Sequence, residues 1–214
     1  DHMMLDGLED AYEAGRSMGT FGEDCAAKYS FTREQQDAFA TASVQRAKAA
    51  TESGAFAAEI VPVTVKDRSG ERVVSVDEGP GKVKLEKIAT LKPAFKKDGT
   101  ITAASSSSIN DGAAALVMMR ESTAKKLGAK PLARIVSHAT HAQEPEWFAT
   151  APLGATQKAL AKAGWQVGDV QLWEINEAFA VVPMALMKEL DLPHDKVNVN
   201  GGACALGHPI GASG

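Results

Sequence analysis

The stretch VQLWEINEAFAVVPMALMKEL, residues 170–190, joins a strand-like segment directly to a long helix-like one. Its first six residues, VQLWEI, are typical of a strand buried within a sheet. The remainder favours a helix, which we expect to begin at Asn176 and to kink at Pro183, because proline lacks a backbone donor. A strand followed at once by a helix predicts an α/β fold.

Similar units lie on both sides of this stretch. We expect a central strand in AAALVMM (113–119), a short helix in STAKKLG (122–128) and a strand in LARIVSHAT (132–140). A helix from Pro152 to Gly164 and a last strand in KVNVN (196–200) complete the pattern. Strands that alternate with helices predict a mostly parallel sheet covered on both faces.

The first third of the chain has a different pattern. Thr32 and Gln35 form a predicted capping box at the start of a helix that ends at Gly54. The β-branched runs EIVPVTVK and ERVVSVDE, separated by DRSG, predict a hairpin. Residues 77–100 are predicted to form an extended loop, either a solvated basic surface or a site for an anionic ligand. This loop carries Lys82, Lys84, Lys87, Lys92, Lys96 and Lys97.

Composition limits the possible classes of protein. With 214 residues, 44% hydrophobic and 23% charged, the chain can form one large domain or two small ones with an apolar core. A net charge of -4 argues against nucleic-acid binding. No apolar run long enough for a membrane span and no signal peptide are readable, so we expect a soluble, cytoplasmic protein. Cys25 and Cys204 have no metal-binding spacing, and we expect reduced thiols and no metal.

Two polar residues follow predicted strands, where α/β sheets present ligand-binding groups. GACALGHP (202–209) has nearly the spacing of a phosphate-binding loop, but His208 and Pro209 replace the required lysine and hydroxyl residue. His208 is therefore either a catalytic imidazole on a stiff backbone or a structural histidine. Asn176 is either a ligand-binding amide or a helix cap. The residues alone leave both alternatives open.

A resemblance extends these observations. NEAFA (176–180) and NVNGGACALGHPIGASG (198–214) resemble the two signature stretches of the thiolase family. The segments SMGTFGEDCA, SFTREQQDAFA, TLKPAFKKDGTITA, INDGAAALV and KAGW are also similar, so the resemblance covers nearly the whole chain. Within the family, MGTF, WFATAP and EINEAFA look more like acetyl-CoA acetyltransferases than long-chain ketoacyl thiolases.

The resemblance implies a layered αβαβα fold, built from two similar α/β halves and present here in part. Residues 1–101 are expected to form most of an inserted α+β loop domain that covers coenzyme A, with the lysine-bearing loop near its nucleotide end. Residues 102–121 are expected to hold the last strand of the first half, and residues 122–214 an incomplete second half. A homodimer or homotetramer is the expected assembly.

The resemblance also implies acyl transfer to and from coenzyme A, whose thioester is a substrate, with no further cofactor. His208 is expected to activate a nucleophilic thiol, and with Asn176 and an ordered water to form an oxyanion hole. The residues expected to line the channel for substrate are Leu8, Met18, Ala103, Ser107, Ile109, Ala178 and Phe179. Ser17 stands where many members have histidine, and AASSSS where AGNAS is usual, so contacts there are expected to differ.

Two cysteines carry the chemistry in the family, a nucleophile upstream of residue 1 and an acid/base cysteine downstream of Gly214. Cys25 and Cys204 match neither and are expected to be small buried hydrophobes. We therefore expect residues 1–214 alone to be inactive and poorly stable. Two alternatives are a noncatalytic acyl-CoA or lipid-binding protein with this fold, and a thiolase of longer chain preference.

Overall fold

The computed structural model describes residues 2–213, and helices are its main regular elements. The α-helices are α1 (Met18–Tyr29), α2 (Arg33–Ser53), α3 (Gly79–Lys82), α4 (Glu121–Leu127), α5 (Ala151–Ala163), α6 (Val181–Leu190) and α7 (Ala203–Leu206). A π-helical turn covers Met4–Leu8, and 3-10 turns cover Leu85–Thr90, Pro145–Thr150, Val167–Asp169 and His194–Lys196. The strands are β1 (Val63–Asp67) and β2 (Gly70–Val74).

The predicted capping box at the start of α2 is confirmed. The Thr32 hydroxyl accepts a hydrogen bond from the Gln35 backbone N–H at 3.2 Å, and the Gln35 side chain accepts one from the Thr32 N–H at 2.9 Å. The helix ends at Gly54, which adopts a left-handed conformation with φ 71°. Local side-chain chemistry therefore sets both ends of α2.

The predicted hairpin is also confirmed. Strands β1 and β2 pair antiparallel, with Val63 opposite Val74 and Asp67 opposite Gly70. The Asp67 carboxylate accepts a hydrogen bond from the Ser69 backbone N–H at 2.7 Å, which stabilises the tight turn. Much of the hairpin is exposed to solvent.

The predicted parallel sheet is the main correction. Within residues 2–213, residues 113–119 and 132–140 belong to no ladder, and Trp173 and Val197 share only an isolated parallel bridge. The run at 113–119 was expected to be buried, yet Val117 is 89% exposed. A parallel strand needs hydrogen bonds from a neighbouring strand, and no described segment supplies them to these runs.

Several helix predictions agree with the structure, and three details differ. Helices α4 and α5 form as expected and end at left-handed Gly128 and Gly164. The lysine-bearing loop is not wholly extended, because it contains α3 and the 3-10 turn at Leu85–Thr90. Helix α6 begins at Val181, five residues after Asn176, and Pro183 lies in its first turn. A first-turn N–H has no intrahelical partner, so proline there causes no kink.

The core lies around α1 and α6. One buried cluster includes Cys25, Ile101, Phe179 and Val181, and a second contains Ile175, Leu186, Leu192 and Val197. Residues 175 and 179 thus belong to different clusters, so apolar packing anchors the intervening segment at both ends. The boundaries proposed at residues 101 and 121 remain a prediction.

Among residues 2–213, no helix is both long enough and apolar enough to cross a bilayer. The same residues contain no group of three or more His, Cys, Asp or Glu side chains placed to hold a metal ion.

The capping box gives a test of local stability. Thr32→Ala removes the hydroxyl acceptor at the start of α2, and we expect a loss of about 1 kcal/mol in the free energy of unfolding. Urea denaturation of the full-length protein measures the loss. Thr51→Ala, an exposed position inside the same helix, is the control and should change stability by less than about half of that value. Equal effects of the two substitutions would contradict the cap assignment.

Candidate active site

The two polar residues singled out from the sequence meet in the structure. The Asn176 Nδ2 atom lies 3.4 Å from the His208 Nε2 atom, although the residues are 32 positions apart. This separation is longer than the usual N–H···N or N–H···O hydrogen bond of about 3 Å. Both nitrogens are therefore placed side by side, where they can also serve a common acceptor.

Asn176 lies in a loop that side-chain hydrogen bonds hold in place. The Ile175 N–H donates to Asn198 Oδ1 at 2.8 Å, and Asn198 Nδ2 donates to the Ile175 carbonyl at 2.8 Å. This amide pairs with the backbone as a neighbouring strand would. Asn198 itself is buried and left-handed, with φ 47°. Asn176 therefore caps no helix, and its side chain is free to reach His208.

His208 lies directly after α7 on a close-packed loop. Its backbone N–H donates to the Ser108 carbonyl at 2.9 Å, and Asn110 Nδ2 donates to the Leu206 carbonyl at 3.0 Å. Gly207 has φ 90°, and a Cβ atom at this position would overlap the Asn110 side chain. Glycine is needed at position 207 for both reasons. His208 is half-buried, and no described residue hydrogen-bonds to its Nδ1 atom.

Residues 106–108 contact both the loop that carries Asn176 and the loop that carries His208. The Ser107 N–H and hydroxyl each donate to the Ala178 carbonyl at 3.1 Å. Ser106 and Phe179 form an antiparallel bridge next to this contact. Ser107, Ala178 and Phe179, all expected near substrate, therefore lie beside the Asn176 loop.

The other predicted lining residues have weaker links to the pair. Met18 is half-buried and packs against the core cluster that contains Phe179. Leu8 is half-buried, whereas Ala103 and Ile109 are exposed. The role of Leu8, Ala103 and Ile109 at the site stays a prediction.

A cavity of about 420 Å³ opens at the pair, and Asn176, Ala178 and His208 line it. Phe148 also lines this cavity, with its ring centroid 6.5 Å from that of Phe179. Glu174 lines it too, and partial desolvation, followed by the nearby Glu177 carboxylate, raises the pKa of Glu174. The lining is mostly apolar, with a few polar side chains that include Asn176 and His208.

No local sequence pattern singles out Phe148 or Glu177. The WFATAP segment supplied only a family resemblance, and nothing local in it shows that Phe148 faces Asn176. Glu177 lies next to Asn176 and could have been noticed as a charge in an apolar segment. Its burial, with 1% of its surface exposed, depends on distant partners.

Both cysteines are buried, as expected. Burial raises the pKa of the Cys25 thiol to about 11, and burial together with Glu177 raises the pKa of the Cys204 thiol well above its usual value. A thiol nucleophile needs a lowered pKa, so neither environment suits that role.

Both halves of the chain match models of known protein families. Residues 1–122 match the model of the thiolase N-terminal domain, and residues 129–214 match that of the thiolase C-terminal domain. The chain belongs to the thiolase family.

The individual relatives that the chain resembles include acetyl-CoA acetyltransferases. The chain is 54% identical to a probable acetyl-CoA acetyltransferase of Dictyostelium discoideum, over 100% of this chain and 52% of the relative. It is 53% identical to an acetyl-CoA acetyltransferase of Chromobacterium violaceum, over 100% of this chain and 55% of the relative. The chain thus spans about half the length of these relatives.

Solved structures of the same family superpose closely on this chain. An acetyl-CoA acetyltransferase of Bacillus anthracis superposes with a TM-score of 0.93 at 46% identity, over 98% of this chain and 53% of that structure. A thiolase of Ascaris suum, solved in complex with coenzyme A, superposes with a TM-score of 0.89 at 42% identity, over 100% of this chain and 55% of that structure. The predicted thiolase-like α/β fold is therefore confirmed, although most predicted strands lack ladders.

The thiol environments lead to a reactivity test. With a pKa of about 11, only about one Cys25 in a thousand carries a thiolate at pH 8. We expect iodoacetamide at pH 8 to label Cys25 and Cys204 of the folded protein slowly, and both to label quickly in guanidinium chloride. Mass spectrometry of the peptides measures the labelling. Rapid labelling of either thiol in the folded state would contradict the assignment of both as buried hydrophobes.

Proposed function

We propose that the full-length protein transfers acyl groups to and from coenzyme A, condensing two acetyl-CoA molecules to acetoacetyl-CoA and CoA or catalysing the reverse thiolysis. The observation that carries this proposal is the 3.4 Å approach of Asn176 Nδ2 to His208 Nε2 in the lining of a mostly apolar cavity. The family membership and the names of the relatives support it. The CoA thioester is the substrate, and we expect no resident cofactor.

The geometry suits stabilisation of a thioester oxygen. When His208 carries a proton on Nε2, this atom and Asn176 Nδ2 are two donors that cannot satisfy one another. Both can then donate to one oxygen, Asn176 directly or through a water. As a proton leaves the acetyl methyl group, negative charge moves to this oxygen and both hydrogen bonds strengthen. Neither His208 nor Asn176 is the base that removes this proton. Neither residue supplies the thiol that carries the acyl group.

A short acyl group is the proposed cargo. The aromatic ring of Phe148 and the small side chain of Ala178 line the cavity beside the amide and imidazole. Phe179 packs against Phe148 from the core side, with the rings tilted by 59°. Packed aromatic rings move little, so we expect them to limit the room next to the reacting carbonyl. This arrangement favours acetyl transfer over the alternative of a longer chain preference.

The lysine-bearing loop is the proposed contact for the phosphates of CoA. Phe95, at its end, packs edge-on against Phe179 with ring centroids 5.6 Å apart, which connects the loop to the Asn176 segment. Lys96 and Lys97 follow directly and are exposed. Exposed ammonium groups attract an anionic ligand, and this attraction weakens at high salt.

Thiolysis of acetoacetyl-CoA tests the proposed function. We expect the full-length protein to cleave it, and His208→Ala or Asn176→Ala to lower kcat by about 100-fold or more, because each removes one stabilising donor. Loss of absorbance by the acetoacetyl-CoA enolate measures the rate. His138→Ala, at an exposed position, is the control and should retain full activity.

A wild-type protein that binds CoA without turnover would instead support the noncatalytic acyl-CoA-binding alternative. Full activity in both the Asn176 and His208 variants would contradict the assigned site. Binding measured by isothermal titration alongside turnover separates these results.

The loop assignment has its own test. Lys96→Glu combined with Lys97→Glu should raise KM for CoA about three- to tenfold at low salt with little change in kcat, because the lost attraction acts on binding. Lys125→Glu with Lys126→Glu, on exposed α4, is the matched control. An unchanged KM in the loop variant, or an equal rise in the control, would show that these lysines only solvate the surface.

A homodimeric or homotetrameric assembly and a cytoplasmic location also remain proposals. Light scattering coupled to size-exclusion chromatography of the full-length protein checks the assembly.

A further inference from the structure

Glu177 has an unusual environment for a charged residue. Only 1% of its surface is exposed, and its carboxylate accepts hydrogen bonds from three separate segments. Asn198 Nδ2 donates to Oε1 at 2.8 Å, while the Ser43 hydroxyl and the Cys204 backbone N–H donate to Oε2 at 2.7 and 2.9 Å. A carboxylate buried without such donors would strongly destabilise the fold, so these hydrogen bonds are needed to keep Glu177 in the interior.

One arm of the network reaches Asn176. The two side-chain hydrogens of Asn198 go to Glu177 and to the Ile175 carbonyl, and its oxygen accepts from the Ile175 N–H. Asn176 lies between Ile175 and Glu177, so the residues on both sides of it are held by Asn198. Its backbone cannot rotate without breaking these contacts.

The other arm reaches His208. The Cys204 N–H that binds Glu177 belongs to α7, and Gly202 N–H donates to the Ser43 hydroxyl at 3.0 Å. Two backbone bonds, Leu206 N–H to Gly202 and Gly207 N–H to Ala203, complete the turn that carries His208. The carboxylate thus fixes the start of the loop whose end presents the imidazole.

Close packing makes the arrangement specific. A Cβ atom at position 202 would overlap the Glu177 carboxylate, so the loop approaches it closely only because glycine stands there. Each of the three groups that contact Glu177 donates a hydrogen bond, and a carboxylate oxygen can only accept one.

We propose that Glu177 is a positioning residue that holds the Asn176 amide and the His208 imidazole on one substrate oxygen. This inference rests on the proposed acyl transfer and adds a residue to the site. Glu177 does not touch substrate in this role. It acts by joining the two loops and α2 through one carboxylate.

Glu177→Gln is the direct test, in the full-length protein. Glutamine has nearly the same shape but turns an NH₂ group toward at least one donor, which separates the loops. We expect kcat for thiolysis to fall about 10- to 100-fold, as for a displacement of roughly 1 Å at a reacting centre, with KM for acetoacetyl-CoA within about twofold. Ser43→Ala, a milder change on α2, should lower kcat by a smaller factor.

Glu23→Gln is the matched control for stability. Glu23 is a second buried carboxylate, 6% exposed. It accepts hydrogen bonds from the Thr100 N–H, the Thr100 hydroxyl and the Ile101 N–H. We expect it to lower the melting temperature about as much as Glu177→Gln, while kcat per folded molecule changes less than about twofold. Equal losses of kcat in the two variants would show that Glu177 contributes only to folding.

A double-mutant cycle separates positioning from general destabilisation. If Glu177 acts through Asn176 and His208, the effect of Glu177→Gln on kcat should shrink in an Asn176→Ala background and shrink further when His208→Ala is added. Full additivity, or wild-type kcat in Glu177→Gln and Ser43→Ala, would overturn the inference. An inactive wild-type protein would instead contradict the proposed function itself, so the two failures are distinguishable.

Discussion

The buried carboxylate of Glu177 is the constraint on which the candidate site depends. Segment 173–177 and the loop at 197–208 share one isolated parallel bridge, which by itself is a weak connection. Glu177 and Asn198 add hydrogen bonds between these segments through their side chains. Because an unpaired buried carboxylate is costly, the donors must stay in place while the protein is folded. The position of the Asn176 amide relative to His208 follows from that requirement.

The apolar core supports the same arrangement from below. Ile175 packs in the cluster with Leu186 and Val197, and Phe179 packs in the cluster with α1. The Asn176 loop is therefore anchored by apolar residues at its two ends and by hydrogen bonds in its middle. Packing and hydrogen bonds from surrounding residues thus hold the geometry of a polar site that lies on a loop. This combination suits a reaction whose charge develops on a single oxygen.

Local signals predicted the elements that local chemistry controls. The capping box at Thr32, the hairpin turn at Ser69 and the glycine after α5 all depend on residues within a few positions of one another. The family signatures pointed to Asn176 and His208, and the structure brings their side chains within 3.4 Å of each other. The strand predictions failed at 113–119 and 132–140, since apolar composition describes what a strand would bury and says nothing about which segment pairs with it.

The sequence by itself determined the family and the helix caps, and it predicted the two polar residues of the candidate site, because each is encoded in a contiguous motif. Tertiary structure alone decided which groups surround them. Ser43 reaches Glu177 across 134 positions, and Phe148 and His208 come to line one cavity only after folding. Such contacts arise from packing between distant segments, and neither periodicity nor spacing along the chain records that packing.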